Sequence, residues 1–278
     1  MILLLLVSIA RGEEVWPGEH WEVREAEGVG MKKEKLAAMA ELAAGRGCVV
    51  KGGVMVFAWG DQGRSSDVAS AMKPVISTLM LMAVEDGKIG SVNDRVSVFE
   101  PRLVGKNAGI TWKQLASQMS GYGLVEGPGE AYSYNDFALA LYYDTLMEKV
   151  YREKGTEVLK KKLGDVLGFE DKYTFEVFGA NERRGRLGIS CRDFARFGLM
   201  VMRGGQWKDK QVVREDLVRM AISSAMRNCM GDKSRAQTTA SRFPCAPAWT
   251  TPRSRPQTMT LPPAMTSAPM LTSPKTTT

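Results

Sequence analysis

The 278-residue sequence has one histidine, His20, and four cysteines, Cys48, Cys191, Cys229 and Cys245. No two cysteines stand at metal-ligand spacing and His20 has no partner ligand near it, so neither a metal nor a cofactor is expected. His20 lies in the polar segment "PGEHWEVREAEG", which reads as surface and removes a Ser-His-Asp triad from consideration. Cys48 and Cys191 read as small buried apolar residues rather than as a disulfide. No stretch reaches the roughly 18 apolar residues that a membrane span needs.

Acidic residues are scarce at one end. Residues 226–278 hold seven Lys or Arg and a single acid, Asp232, so almost all of the net charge of +7 sits there. The remainder is close to neutral and offers no basic face to a nucleic acid. The same stretch carries eight of the twelve prolines, one glycine, and no Val, Ile or Tyr. Such a composition cannot bury enough apolar surface to offset its ordering entropy, so 226–278 reads as a disordered Thr/Pro/Arg-rich tail. At the other end, "MILLLLVSIARGEE" has a short apolar core followed by Ser8 and Ala10. Without a positive n-region it still reads as a cleavable leader over 1–16, which implies export to a periplasmic or extracellular space.

What remains, 17–225, is rich in patterned segments. "MKKEKLAAMAELAAGRG" (31–47) predicts an amphipathic helix closed by glycine. "CVVKGGVMVFAWGD" (48–61) predicts a hairpin turning at Gly52-Gly53. Helices are predicted from the stretch at 67–88, "ITWKQLASQMSGYG" (110–123), "YNDFALALYYDTLMEKVYREKG" (134–155), "GTEVLKKKLGDVLGFED" (155–171), "SCRDFARFGLMVMRGG" (190–205) and "KQVVREDLVRMAISS" (210–224). The fold class is therefore α+β, one hairpin followed by helices. A lone hairpin is marginal in water, so this reading is of an incomplete sheet.

Two motifs carry chemistry. Ser70-Ala71-Met72-Lys73 opens the helix in "DVASAMKPVISTLMLMAVEDGK". S-x-x-K arises by chance about once in a chain this long. A serine at a helix N-terminus nevertheless sits near free N–H groups that stabilise negative charge, with Lys73 one turn on along the same face. Further on, "GPGEAYSYNDFALAL" (127–141) places Tyr134, Asn135 and Asp136 between a Pro-Gly turn and a helix. A tyrosine there suits a proton relay, and the amide or carboxylate beside it suits orienting a substrate.

With these motifs in this order the chain resembles the serine β-lactamase and penicillin-binding-protein superfamily. The likeness is to the branch of class C β-lactamases, D-Ala-D-Ala carboxypeptidases and related esterases. The resemblance implies a β-lactamase/transpeptidase-like fold, with Ser70 as acylated nucleophile, Lys73 as its proton acceptor and Tyr134 as the tyrosine of Y-x-N. It implies a metal-free acyl-enzyme acting on a β-lactam, a D-Ala-D-Ala peptide or a small ester, and leaves oligomeric state open. Two departures stand out. The third position of Y-x-N is Asp136, with Asn135 beside it, so either side chain is a candidate for the substrate-binding role. The family's K-[ST]-G or H-x-G tripeptide has no counterpart after residue 134, since Lys275-Thr276-Thr277 lacks the glycine. These departures and the composition change near 225 lead to the expectation of a truncated or frameshifted member. Two other readings follow, an inactive family member and an interaction protein using its basic tail.

Overall fold

The computed structural model describes residues 15–178 and 183–223. The tail expected over 226–278 and the cysteines at 229 and 245 lie outside the described residues, as does the expected leader except for Val15 and Trp16. Trp16 packs edge-on against Trp207 of the core at 5.4 Å between ring centroids.

Helix α1, Lys33–Ala43, leads into the hairpin β1, Gly47–Lys51, and β2, Val54–Trp59, which turns at Gly52-Gly53 as predicted. Both turn glycines have positive φ, 62° and 92°, a region that glycine enters without steric cost. Next comes β3, Ser66–Asp67, and a 3-10 turn, Ala69–Met72, that runs straight into α2, Lys73–Glu85. Seven apolar residues of α2, from Val75 to Ala83, are buried around its circumference. A helix apolar on every side is a core helix, and each fully buried Leu or Ile contributes about 1.5–3 kcal/mol. It stops at Gly87, whose φ is 68°.

Around α2 lie α3, Trp112–Ala116, and α4, Asp136–Asp144, which continues as a π-helix, Thr145–Tyr151. Then follow α5, Gly155–Leu159, a second π-turn, and α6, Asp165–Leu167. Strands β4, Thr174–Phe178, and β5, Arg183–Ile189, precede α7, Cys191–Met202. The short ladder of β6, Gln206–Trp207, and β7, Lys210–Gln211, leads to α8, Glu215–Ile222. The Tyr151 hydroxyl donates to the Leu79 carbonyl at 2.7 Å and ties the π-helix to α2.

Three expectations need correction. The sheet content is larger than one hairpin, because β3, β5 and β4 form a second, antiparallel sheet in that order. The helix predicted over 110–123 is only five residues long. Its end is fixed by Gln118, which takes a left-handed φ of 59° and turns the chain back. The helix predicted from Tyr134 begins at Asp136, leaving Tyr134 and Asn135 ahead of it, Asn135 in extended backbone. Cys48 and Cys191 are unpaired thiols, as expected, but only half-buried.

Candidate active site

Ser70 sits in the 3-10 turn between the second sheet and α2. Asp67 fixes that turn from below. Its Oδ1 accepts the Ala69 N–H at 2.8 Å and the Arg186 Nε–H at 3.1 Å. One residue on, the Val68 N–H donates to the Leu187 carbonyl of β5 at 3.0 Å. Between these two anchors the chain passes through Ala69 with φ at 51°. That left-handed conformation costs an alanine roughly 1–2 kcal/mol and turns Ser70 outward. Ser70 lies in the first turn of this 3-10 helix, where backbone N–H groups lack intrahelical acceptors.

Tyr134 reaches this turn from the opposite wall. Its hydroxyl lies 2.7 Å from Ser70 Oγ and accepts from Lys73 Nζ at 3.0 Å, while the ammonium also lies 4.3 Å from the centre of the phenol ring. The three predicted residues therefore meet, with the tyrosine oxygen between serine and lysine. Tyr134 is held on both sides by one residue, Gln118. The Gln118 carbonyl accepts the Ser133 N–H at 2.9 Å, and its Oε1 accepts the Asn135 N–H at 3.0 Å.

Asn135 and Asp136 separate cleanly. Asn135 is the N-cap of α4, with Oδ1 accepting from the Phe137 and Ala138 N–H groups and Nδ2 donating to the Tyr122 carbonyl at 2.6 Å. Its amide is committed to the backbone, and Asn135 is not among the residues that line the cavity beside Ser70. Asp136 is the neighbour that lines the cavity.

That cavity, about 340 Å³, opens beside Ser70 and Tyr134. Its lining combines the apolar Met72, Phe137 and Leu139 with the charged Asp136, Arg184 and Arg186. Arg186 grips Asp67 through Nε and Nη2. Its hydrogen bonds to Asp67 hold the guanidinium above its ordinary value against the opposing effect of burial, and the charges of Asp67, Tyr134 and Asp136 add to this. Arg184 donates to Asp144 at 3.0 Å and to Glu148 at 2.8 Å. The two arginines flank Gly185, a bulge in β5 with φ at 71°, where a Cβ would lie 3.0 Å from Tyr143.

Sequence reasoning missed Asp67, Gln118, Phe137 and both arginines. Asp67 had a local signal, an Asx turn two residues before Ala69. The arginines had none, because strand β5 was unread.

A family model described as "Beta-lactamase" matches residues 34–247. No curated protein matches the sequence. Among solved structures, a candidate β-lactamase from Bacteroides dorei is similar at 19% identity with a TM-score of 0.60, covering 71% of this chain and 70% of that one. A candidate 6-aminohexanoate-dimer hydrolase from Bacillus anthracis follows at 14% and 0.56, covering 74% and 66%. The octameric penicillin-binding protein homologue from Pyrococcus abyssi stands at 18% and 0.54, covering 69% and 59%. This chain thus spans 59–70% of the length of these three structures. At such identities they speak for the fold alone, which is β-lactamase/transpeptidase-like and α+β. With the family match over most of its length, the chain belongs to the β-lactamase family.

Proposed function

We propose that the protein is a serine hydrolase that forms an acyl-enzyme on Ser70. The observation that carries this reading is the hydrogen-bonded chain from Ser70 Oγ through the Tyr134 oxygen to Lys73 Nζ, 2.7 and 3.0 Å long, at the mouth of a cavity. Lys73 Nζ donates to the Tyr134 oxygen. That oxygen takes the Ser70 proton as Oγ attacks the substrate carbonyl. Lys73 thus works through Tyr134 rather than as a base in direct contact with Ser70. The Ser70 N–H points its partial positive charge at the oxyanion, a contribution of about 3–4 kcal/mol when such a donor is removed elsewhere. Collapse expels the leaving group, which recovers the proton from Tyr134. Water then enters by the same route in reverse.

The substrate is a small molecule or peptide with an activated or strained acyl group. Export is part of the same proposal, supported by the apolar start of the chain. Fractionation that leaves the protein in the cytoplasm with residues 1–10 intact counts against it.

Labelling by a fluorophosphonate or a fluorescent penicillin tests the chemistry. Attachment to Ser70, abolished in Ser70→Ala, is the expected result. A folded protein that neither probe labels supports instead the reading of a family member without acyl transfer.

A further inference from the structure

Given acylation at Ser70 as proposed above, the Tyr134 hydroxyl has to stay 2.7 Å from Ser70 Oγ although Tyr134 is 48% exposed. A side chain so open to solvent draws little of its placement from packing, so the backbone on either side of it has to supply the rest. The hydroxyl stands at the end of a rigid arm, where about 10° of backbone rotation swings it by about 1 Å. A misplacement of about 1 Å costs as much as about 10²-fold in rate. Gln118 takes up both flanking N–H groups, that of Ser133 on its backbone carbonyl and that of Asn135 on Oε1. Its amide is itself anchored, with Nε2 donating to the Leu115 carbonyl at 3.2 Å. Gln118 is 2% exposed and takes a left-handed φ of 59°. The loop between this clasp and Ser133 has separate ties. Gly129 N–H donates to the Met119 carbonyl at 2.8 Å, and Lys106 Nζ donates to the carbonyls of Gly121, Leu124 and Glu126. None of these four bonds touches residues 133–135.

We propose that Gln118 is a positioning residue for acyl transfer, setting the backbone at Tyr134 so that the phenol oxygen stands between Ser70 and Lys73. Gln118 is not among the residues that line the cavity, so it acts through Tyr134 and not on the substrate. Its two holds are separable. The carbonyl bond to Ser133 needs only the left-handed turn, which a glycine keeps without steric cost. The bond to Asn135 needs the side chain, and it needs an acceptor and a donor at once, Oε1 towards Asn135 and Nε2 towards Leu115. A protonated carboxyl offers the same pair, whereas an ionised one offers acceptors only.

The test is fluorophosphonate labelling of the full chain, read as a maximal rate and a half-saturating concentration, with folding of each variant checked by circular dichroism. Gln118→Gly is expected to lower the maximal rate by about 10–10²-fold while the half-saturating concentration stays within about twofold. Gln118→Glu supplies a pH signature. Burial raises the pKa of a carboxyl, so this variant is expected to label almost as fast as the unaltered protein near about pH 5. Its rate relative to that protein then falls about tenfold as pH rises through the ionisation. Both readings come from one molecule, so they stand even where Gln118→Gly fails to fold. Lys106→Met cuts ties within the loop and leaves the clasp, and its rate is expected to stay within about twofold. A folded Gln118→Gly with an unchanged maximal rate, a Gln118→Glu profile parallel to that of the unaltered protein, or an equal loss in Lys106→Met overturns the inference. Absence of label from the unaltered protein removes the acyl-enzyme and this inference with it, whereas label on Ser70 with unmoved Gln118 variants removes only the role of Gln118.

Discussion

Two polar clusters in this molecule use the same chemical vocabulary to opposite ends. Beneath α7, Arg196 donates to Glu170 at 2.6 Å and to the carbonyls of Gly18, Leu167 and Glu19 at 2.9–3.2 Å. Asp193 accepts the Glu170 and Asp171 N–H groups at 2.7 and 2.9 Å, and His20 reaches Glu170 from the surface at 2.8 Å. The Arg196 and Glu170 side chains are 1% and 6% exposed. At the other cluster, Ser70, Tyr134 and Lys73 make contacts of similar length, but Tyr134 is 48% exposed and opens onto a cavity. A buried network whose acceptors are taken up by the protein fixes architecture. A cluster at a cavity mouth, with a serine oxygen facing outward, is placed for chemistry.

The largest effect expected from this contrast is on stability. Arg196→Ala removes the guanidinium that crosses three segments of chain and leaves the Glu170 carboxylate buried against a gap. Breaking such a pair costs about 3–5 kcal/mol, read as a lower midpoint in urea unfolding. Tyr134→Phe, at the exposed cluster, shifts the same midpoint by no more than about 0.5 kcal/mol. Equal losses in the two variants would mean that both clusters are structural.

Catalysis reverses the ranking. Tyr134→Phe removes the oxygen shared by Ser70 and Lys73, and fluorophosphonate labelling is expected to slow by about 10²–10⁴-fold, the range for a lost general base. A labelling rate within a few-fold of the unaltered protein would exclude Tyr134 from the proton path. Glu170 supplies a smaller, pH-dependent effect. Burial opposes its charge, yet hydrogen bonds from Arg196 and His20, with the charges of Arg196 and Arg192, hold the carboxyl below its ordinary value near 4.5. A carboxyl lowered on folding contributes stability that is complete above its unfolded pKa and is lost as pH falls through the folded one. Unfolding midpoints should therefore decline below about pH 4.5, and Glu170→Gln should flatten this decline. An unchanged slope in that variant would move the acid sensitivity elsewhere.

How much of this was legible beforehand depends on where the determining interaction lies. Helix α2 and the hairpin were readable because apolar spacing and a Gly-Gly turn are local signals. The S-x-x-K pair and Tyr134 were readable for the same reason, being short motifs at predicted helix starts. The second sheet was not. Strand β3 has two residues, and the Arg-Arg-Gly-Arg start of β5 carries charge and a bulge instead of an alternating pattern. The roles of Asn135 and Asp136 were separable in principle, since asparagine ahead of a helix is a preferred N-cap. Placing the helix start at Tyr134 hid that signal. Gln118 was invisible, because its importance lies in a left-handed turn and in bonds to residues 15–17 positions away.

The smallest effect concerns Ala69, and it asks whether the exposed cluster carries strain that the buried one lacks. Its φ of 51° is set by the Asp67 bond to the Ala69 N–H and by the ladder bond of Val68 to Leu187. Glycine relieves the left-handed cost of roughly 1–2 kcal/mol but loses about 0.4–1 kcal/mol more entropy on folding. Ala69→Gly is thus expected to stabilise the protein by about 0–1.6 kcal/mol, the difference of those two terms. The same change frees the turn to adopt other conformations, so Ser70 spends less time 2.7 Å from Tyr134 and labelling slows by a few-fold. Higher stability with slower acylation identifies the left-handed alanine as strain retained to hold the serine outward. Lower stability would show that the turn is relaxed as it stands, and that the open cluster owes its geometry to Asp67 and Gln118 alone.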